Sequence, residues 1–294
     1  MAKRERRKNL KMQVNDVLQS LCCFGQSKHA AKKAGTASQG IYSFGTYHTY
    51  QQQCQRYCEW VKTVYPGTKT LADARQYVDE YISTMIDTGL SPFTIKTATS
   101  ALAKLYQCKT TDFRDTPARS RANITRSRRT VARDKDFDES IPENARLARF
   151  CCACGLRRGE LKALKGSWYI ERPDGTAYID LTKTSATKGG RPRIVPILPE
   201  DVLFVREICR AAGDGHVWPA LNTHADIHAW RASYCQRLYD AHKRDVRTLP
   251  RSERYHCQLE KAGVVYDVAA LKLCSEALGH SRTSIIPSSY LYSQ

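Results

Sequence analysis

Four short stretches of the sequence carry the side chains that could do chemistry. They are CGLRRGELKAL at 154–164, TKGGRPRIVPI at 187–197, HAWRASYCQRLY at 228–239 and LGHSRTSIIPSSYLYSQ at 278–294. Arginine and lysine stabilise charge that develops on phosphate oxygens, histidine transfers protons, and an activated tyrosine oxygen is a nucleophile. If the fold brings these stretches together, their cationic, imidazole and phenol groups would surround a phosphodiester and could break its P–O bond without a metal.

The first two stretches also have an ordinary structural interpretation. Arg157 and Glu160 are three positions apart, so on a helix they share a face and the carboxylate could hold the guanidinium in place. The alternative, which this motif alone favours, is a surface ion pair that contributes little to stability. Lys188 begins a Gly-Gly turn between two predicted strands, where most lysines are simply solvated.

The third and fourth stretches add imidazole and phenol groups. His228 and Arg231 are also three positions apart, so they share a helix face, and such a pair suggests an anion site as readily as a structural role. His280 follows a Leu-Gly pair, and Tyr290 and Tyr292 come shortly after it. We predict Tyr290 as the nucleophile, with Tyr292 as its rival.

The composition favours a polyanionic partner. The chain has 294 residues, a formal net charge of +18 and a pI of about 9.5. Nucleic acid is the first candidate. A membrane is less favoured, because no basic amphipathic helix stands out and no stretch approaches the ~20 apolar residues of a membrane span. The charged amino terminus lacks the apolar run of a signal peptide, so we expect the protein to stay where it is made.

The 12 cysteines do not follow a metal-binding pattern. Cys151, Cys152 and Cys154 form a cluster, but no second pair of cysteines or histidines follows them at zinc-finger spacing. Without a secretory signal, disulfides are not expected. We therefore predict buried structural thiols, no bound metal and no cofactor.

Hydrophobic periodicity predicts an all-helical first part of the chain. Apolar residues recur at helical spacing in the segments 9–33, 47–64, 74–85 and 92–105. The stretch AGTASQG at 34–40 is a flexible break, and the serine and proline at 91–92 suit the N-cap and first position of a helix. We predict a basic helical extension over 1–40 and a helical domain over 41–116.

An arginine-rich stretch without hydrophobic periodicity follows and marks the domain boundary. We predict an interdomain linker over 117–137 that is solvated, that follows a phosphate backbone, or both. Its arginines are Arg119, Arg121, Arg126, Arg128, Arg129 and Arg133.

The remaining segment, 138–294, has the pattern of an α+β domain. Helices are predicted at 144–154, near 201 and at 226–239, and short strands at 168–171, 177–181 and 193–198. A hairpin is predicted between 254 and 267, where the turn EKAG separates RYHCQL from VVYD. The predicted fold class is mainly α with a small antiparallel β-sheet in this second domain, beside a separate all-helical N-terminal domain.

In this order, the four stretches resemble the tyrosine recombinases, also called the phage integrase family. The family pattern is an arginine in G-L-R-x-x-E, a lysine in a β-hairpin, an H-x-x-R helix, an L-G-H motif and a tyrosine. The matching residues are Arg157, Lys188, His228, Arg231, His280 and Tyr290. The match spans roughly 144–294 and is greatest to integrases of bacterial integrative mobile elements. The helical first part resembles the family's core-type DNA-binding domain.

The resemblance implies a site-specific DNA recombinase that integrates and excises a mobile element. Tyr290 would attack the scissile phosphate and form a 3′-phosphotyrosyl link. Lys188 would protonate the departing 5′-oxygen, and His228 would assist proton transfer at the tyrosine. The phosphotyrosyl link conserves the bond energy, so rejoining would need no ATP.

The resemblance assigns the remaining side chains to the phosphate. Arg157 and Arg231 would clamp the non-bridging oxygens. His280 would hydrogen-bond the phosphate, and Glu160 would support Arg157. The implied partners are double-stranded DNA recombination sites, a homo-tetramer assembled on two duplexes, and accessory DNA-bending or directionality proteins, with no membrane. The implied location is the cytoplasm, in association with the nucleoid.

Three features depart from the family pattern. The spacing from His280 to Tyr290 is one residue longer than in many members, and Pro287 lies within it, which disfavours a continuous helix. A stretch around 240–268 separates Arg231 from His280 more widely than the compact pattern needs. Few residues follow Tyr290, and 1–33 do not resemble an arm-site DNA-binding domain.

Two alternatives remain open. A type IB topoisomerase uses related chemistry, but it would relax supercoils without strand exchange between two sites. A DNA-binding protein that has lost catalysis would bind DNA without forming a covalent adduct. The complete set of motif positions argues against the second alternative.

Overall fold

The computed structural model describes residues 8–120, 137–187 and 191–291, in a chain that divides into two compact units. The first unit is Met1–Arg121 and the second is Ala122–Gln294. Within the described residues, no helix is long and apolar enough to cross a membrane. The same residues contain no cluster of three or more His, Cys, Asp or Glu side chains that could hold a metal ion.

The described part of the first unit is built from helices. They are α1 (Leu10–Ser20), α2 (Lys28–Lys33), α3 (Phe44–Val64), α4 (Leu71–Ala74), α5 (Val78–Asp87) and α6 (Pro92–Leu105). The long α3 packs against α1 and α6, and its buried side chains share one hydrophobic core with Leu10, Val14 and Leu18 of α1. The segment 9–33, which the sequence predicts as part of an extension, therefore belongs in part to this core.

The continuous helix predicted over 9–33 is wrong, because the chain leaves helical geometry after Ser20. Ile41 exchanges backbone hydrogen bonds with Leu21 and Cys23, at 2.7 and 2.9 Å, and these bonds replace the next turn of α1. The helix resumes only where the hydroxyl of Ser27 caps α2 by accepting from the amide of Ala30. Local apolar spacing could not predict this interruption, since the bonding partner lies beyond the predicted helix.

The second unit combines helices with two small antiparallel sheets. Its helices are α7 (Pro142–Cys154), α8 (Arg158–Ala163), α9 (Val202–Ala212), α10 (Ile227–His242), α11 (Val268–Ala277) and α12 (Ile285–Ser289). Strands β1 (Tyr169–Glu171), β2 (Ala177–Asp180) and β3 (Ile194–Ile197) form one sheet in that order, and β4 (Arg254–His256) pairs with β5 (Val265–Asp267). The predicted fold class, mainly helical with a small antiparallel sheet, is confirmed. The four-part division of the chain and a DNA-binding role for its first part stay predictions.

Helices α7 and α10 pack against each other at the centre of the second unit. In α7 the residues Leu147, Phe150, Cys151 and Cys154 recur at helical spacing, and all four are buried in one core. Strands β2 and β3 each bury two side chains, spaced two residues apart, against the same core, as the two-residue period of a strand requires. This core fixes the ends of α7, α10 and α11, and the candidate site lies at those ends.

Candidate active site

A glycine at the end of α7 turns the chain toward Arg157. Gly155 adopts a left-handed backbone conformation, with φ of 56°, and donates its amide to the carbonyl of Cys151. A Cβ at this position would lie 2.2 Å from Cδ1 of Tyr234, which is fully buried on α10. The chain then forms the N-cap of α8 at Arg157. Only glycine satisfies both the backbone angle and the close contact with α10.

We expect Gly155→Ala to destabilise the second unit by about 3 kcal/mol, the sum of a left-handed alanine and an overpacked core. The matched control is Gly175→Ala in the β1–β2 turn. Gly175 is also left-handed, with φ of 81°, but nothing lies within 4 Å of its added Cβ. The control should cost only about 1 kcal/mol. Urea unfolding measures both, and equal losses would contradict the proposed clash.

Glu160 is the buried anion that organises two arginines. Its carboxylate is completely shielded from solvent and accepts two hydrogen bonds from Arg193, at 2.8 and 2.7 Å. It also accepts from the side chain of Arg157 at 2.9 Å and from the Arg157 amide at 2.7 Å. The surface interpretation of this pair is therefore wrong, because neighbouring elements cover the carboxylate. The sequence patterns did not indicate Arg193 as a site residue, although it follows the Gly-Gly turn of the lysine motif.

The pKa of Glu160 depends on its burial and on its two arginine partners. Burial by itself raises the pKa, but the hydrogen bonds and positive charges of Arg193 and Arg157 outweigh it and lower the pKa to about 2. A glutamate in an unfolded chain has a pKa of about 4.3. Because the folded value is lower, the ionised carboxylate stabilises the fold above about pH 5, and this stability is lost as the pH falls toward 2.

We therefore expect the free energies of unfolding of the wild type and of Glu160→Gln to converge as the pH falls from 7 to 3. The pH-dependent part of their difference is on the order of 3 kcal/mol if titration is complete, and part of it remains at pH 3. Urea unfolding at several pH values gives the difference. A gap that stays constant over this range would show that the carboxylate is not held by the two arginines.

The carbonyls at the end of α11 accept hydrogen bonds from three guanidinium groups. Arg157 donates to the carbonyl of Leu278 at 2.8 Å, and Arg231 donates to the same oxygen. Arg193 donates to the carbonyl of Ala277 at 2.9 Å. The last carbonyls of a helix lack intrahelical partners and carry partial negative charge, so they suit arginine donors. Gly279 ends the helix in a left-handed conformation, with φ of 63°.

Arg231 is a charged group held almost entirely inside the protein. It is 1% exposed, and its guanidinium also donates to the carbonyl of Gly155. Burial is the main reason that its pKa falls to about 10, with the nearby charge of Arg157 acting in the same direction. The group remains a cation at neutral pH, and it has been desolvated before any ligand arrives.

The phenol of Tyr290 lies between an imidazole and this arginine. Its oxygen is 3.1 Å from Nε2 of His280 and 3.4 Å from Nε of Arg231. The ring of His228 meets the tyrosine ring edge to face, with 5.4 Å between centroids. Tyr290 is only 4% exposed. The segment that carries this tyrosine is therefore packed into the core of the second unit.

The loop and short helix between His280 and Tyr290 explain the spacing of the motif. The chain makes an irregular turn after Gly279 and then forms α12, in whose first turn Pro287 lies. Proline is tolerated there because its missing amide would have no helical partner. The predicted absence of a continuous helix is confirmed. The amide of Tyr290 then closes α12 by donating to Ile286 at 2.9 Å.

The five motif side chains that the structure describes line one open cleft of about 720 Å³ in the second unit. Its lining residues are Arg157, Arg158, Arg191, Ala225, Asp226, Ile227, His228, Arg231, Gly279, His280, Ser281, Ile285 and Tyr290. Its lining has four arginines and one aspartate, so the cleft suits an anionic ligand. The sequence did not single out Arg158, Arg191 or Ser281, although Arg158 and Ser281 directly follow motif residues and Arg191 lies three positions after Lys188.

Several predicted site residues lie outside the described residues. These are Lys188, Tyr292, Arg121, Arg126, Arg128, Arg129 and Arg133. Arg119 is described, and its guanidinium lies over the ring of Phe93, 5.7 Å from the centroid. The structure thus brings five of the six motif residues into one cleft.

The chain is similar to solved structures of distantly related sequence. No family model and no curated protein matches the chain. The Tn1549 transposon integrase in complex with circular intermediate DNA is 13% identical with a TM-score of 0.46, and the alignment covers 98% of this chain and 96% of that one. The XerH site-specific recombinase bound to its difH substrate, in a pre-cleavage complex, is 18% identical with a TM-score of 0.47, covering 97% and 87%. Similarity at this level does not establish a function for this chain.

Proposed function

We propose that the chain is a tyrosine-type site-specific recombinase that cuts and rejoins DNA through a 3′-phosphotyrosyl intermediate. The observation that carries the proposal is the Tyr290 hydroxyl, held 3.1 Å from His280 and 3.4 Å from Arg231 in a cationic cleft. Residues that match a single family pattern in the sequence, and are far apart along it, meet there. A chance match of short motifs would not be expected to converge on one phenol.

Cleavage uses the phenol as the nucleophile. The oxygen of Tyr290 attacks the scissile phosphorus, a P–O bond to tyrosine forms, and the bond to the 5′-oxygen breaks. The phenol loses its proton, and the contact with Nε2 supports His280 as the group that takes it. His228 remains a candidate for assisting this transfer. Lys188 is proposed to donate a proton to the departing 5′-oxygen.

The arginines stabilise the charge that develops on the phosphorane. Arg157 and Arg231 use some of their N–H groups on protein carbonyls and on Glu160, yet a guanidinium carries five N–H groups and has others to offer. Glu160 holds Arg157, and the carbonyl of Leu278 holds both arginines, before the substrate binds. Little reorganisation is therefore needed during the reaction. Attack by a 5′-hydroxyl reverses the step and rejoins the DNA without ATP.

The wider biological role follows from the same proposal. A recombinase of this class acts on double-stranded DNA sites, and we propose that it assembles as a homo-tetramer on two duplexes to integrate or excise a mobile element. Accessory DNA-bending or directionality proteins would act with it, in the cytoplasm and at the nucleoid. The net charge of +18 supports a partner with many phosphates. The helical first unit and the arginine-rich linker are proposed to contact the DNA backbone.

The test is the formation of a covalent protein–DNA adduct. The protein is incubated with a pool of nicked duplexes whose central sequence is random, so that cleavage releases a short strand and traps the enzyme. Adducts that survive detergent are recovered and their junctions sequenced. We expect one recurring junction sequence, with DNA joined to protein through its 3′-phosphate. Binding of duplexes without any adduct would instead identify a DNA-binding protein, and supercoil relaxation without strand exchange between two sites would identify a topoisomerase.

A further inference from the structure

A lysine outside the cleft holds the segment that carries Tyr290. Lys261 lies in the loop of the β4–β5 hairpin, in the stretch around 240–268 to which the sequence assigned no role. Its ammonium donates to the carbonyl of Pro287 at 2.6 Å and also to the carbonyl of Leu291. These two carbonyls flank Tyr290 on either side. Lys261 is not among the residues that line the cleft.

At the end of α12, the two described amides that follow Ser289 do not reach the carbonyl of Pro287. The amides of Tyr290 and Leu291 both donate to the carbonyl of Ile286, at 2.9 and 3.1 Å, so neither amide serves the carbonyl of Pro287. Carbonyls at the end of a helix have no intrahelical partner and suit a cation. Lys261 supplies that cation and bridges the last turn of α12 to the residue after Tyr290.

The hairpin is anchored well enough to act as a support. Asp267, at the end of β5, is fully buried, caps α11 and accepts a paired hydrogen bond from Arg244, at 2.8 and 2.7 Å. Its amide donates to the hydroxyl of Tyr239 on α10 at 2.9 Å. Within the loop, Val264 donates to the carbonyl of Lys261 at 3.1 Å. The hairpin that carries Lys261 is thus attached to α10 and α11 through Asp267.

We propose that Lys261 is a positioning residue for the reaction, acting through the backbone on both sides of Tyr290. The hairpin sets the distance from the Tyr290 oxygen to His280 and Arg231, while Lys261 itself does not contact the phosphate. This inference rests on the proposed function, since it assigns Tyr290 as the nucleophile. The β4–β5 hairpin then supports the reaction of its own protomer by positioning the nucleophile.

Lys261→Met retains the aliphatic stem and removes the donor. We expect at least a tenfold slower single-turnover formation of the covalent adduct, because a nucleophile displaced by about 1 Å can lose ~100-fold in rate. Affinity for the same DNA and the unfolding midpoint should change little. Lys261→Arg, which keeps a cationic donor, should recover most of the rate. Lys272→Met, at an exposed lysine on α11, is the matched control and should leave the rate unchanged.

Amide hydrogen exchange gives a measurement that does not depend on activity. In Lys261→Met the amides of Tyr290 and Leu291 should exchange at least about tenfold faster, while those of α11 stay as protected as in the wild type. Equal adduct rates or equal exchange in wild type and variant would overturn the positioning role. A parallel loss of DNA affinity and folding would also overturn it and indicate a merely structural contact. If the wild type forms no adduct on any DNA, the proposed function fails, while hydrogen exchange still reports whether Lys261 holds the segment.

Discussion

Tyr290→Phe is expected to abolish covalent attachment to DNA while leaving DNA binding intact. The substitution removes one oxygen, the atom that forms the new P–O bond, and leaves the ring against His228 and Arg231. Removing the nucleophile of an enzyme that forms a covalent intermediate costs about 10⁵-fold or more in rate. Adducts trapped on nicked duplexes and resolved on denaturing gels measure this loss directly.

Tyr292→Phe is the matched control for this experiment. It makes the same chemical change two positions further along the chain, at the rival tyrosine of the same motif. This variant should form the adduct at close to the wild-type rate. If Tyr292→Phe loses the adduct and Tyr290→Phe keeps it, the assignment of the nucleophile is wrong. Loss of DNA binding in Tyr290→Phe would instead point to a structural role for the hydroxyl.

Glu160→Gln is expected to destabilise the second unit by about 3 kcal/mol, because removing one member of a buried ion network leaves the other charges without compensation. The amide keeps the shape of the side chain, so no cavity forms. Arg193, which is 8% exposed, would lose its two ion-pair bonds and face a neutral group. Urea unfolding measures the change in free energy at neutral pH.

An exposed ion pair in the same unit provides the control. Asp240 and Lys243 on and beside α10 are 2.6 Å apart, with about half of each side chain exposed to solvent. Asp240→Asn should leave the unfolding midpoint close to that of the wild type. If the two variants behave alike, Glu160 does not act as a buried anion in solution.

Glu160→Gln should also weaken catalysis beyond its effect on folding. Glu160 binds both the amide and the guanidinium of Arg157, so its charge sets the orientation of a group that we propose to clamp the phosphate. Catalytic groups act most strongly when their orientation is fixed before the transition state forms. The stability and the activity of this site therefore depend on the same buried carboxylate.

Local patterns in the sequence predicted the elements that carry the site. The helix of His228 and Arg231, the three short strands and the hairpin at 254–267 were each predicted from spacing and turn residues, and each is present in the structure. These elements are encoded within a few neighbouring residues, so their periodicity is visible in one sequence. The interruption after Ser20 was not predicted, because it depends on Ile41.

Local sequence patterns could not predict the contacts between distant parts of the chain. Nothing in the neighbouring sequence distinguishes Arg193 from other basic residues that follow a turn, or Lys261 from other lysines in loops. Their partners, Glu160 and the carbonyls around Tyr290, come close only when β3, α8, α12 and the hairpin are packed around a common core. The structure also changed the interpretation of the Arg157–Glu160 pair. It is not a surface ion pair, because Glu160 has no exposure to solvent.

The sequence by itself determined which side chains are available for chemistry, their order along the chain and the local turns that carry them. The tertiary structure decided that Arg157, His228, Arg231 and His280 share one cleft with Tyr290, and that this tyrosine is packed rather than loose. The physical reason is the separation along the chain over which each kind of interaction acts. Helix and turn preferences act over a few residues, whereas desolvation of a charge and the approach of a phenol to an arginine depend on elements that meet only in the folded core.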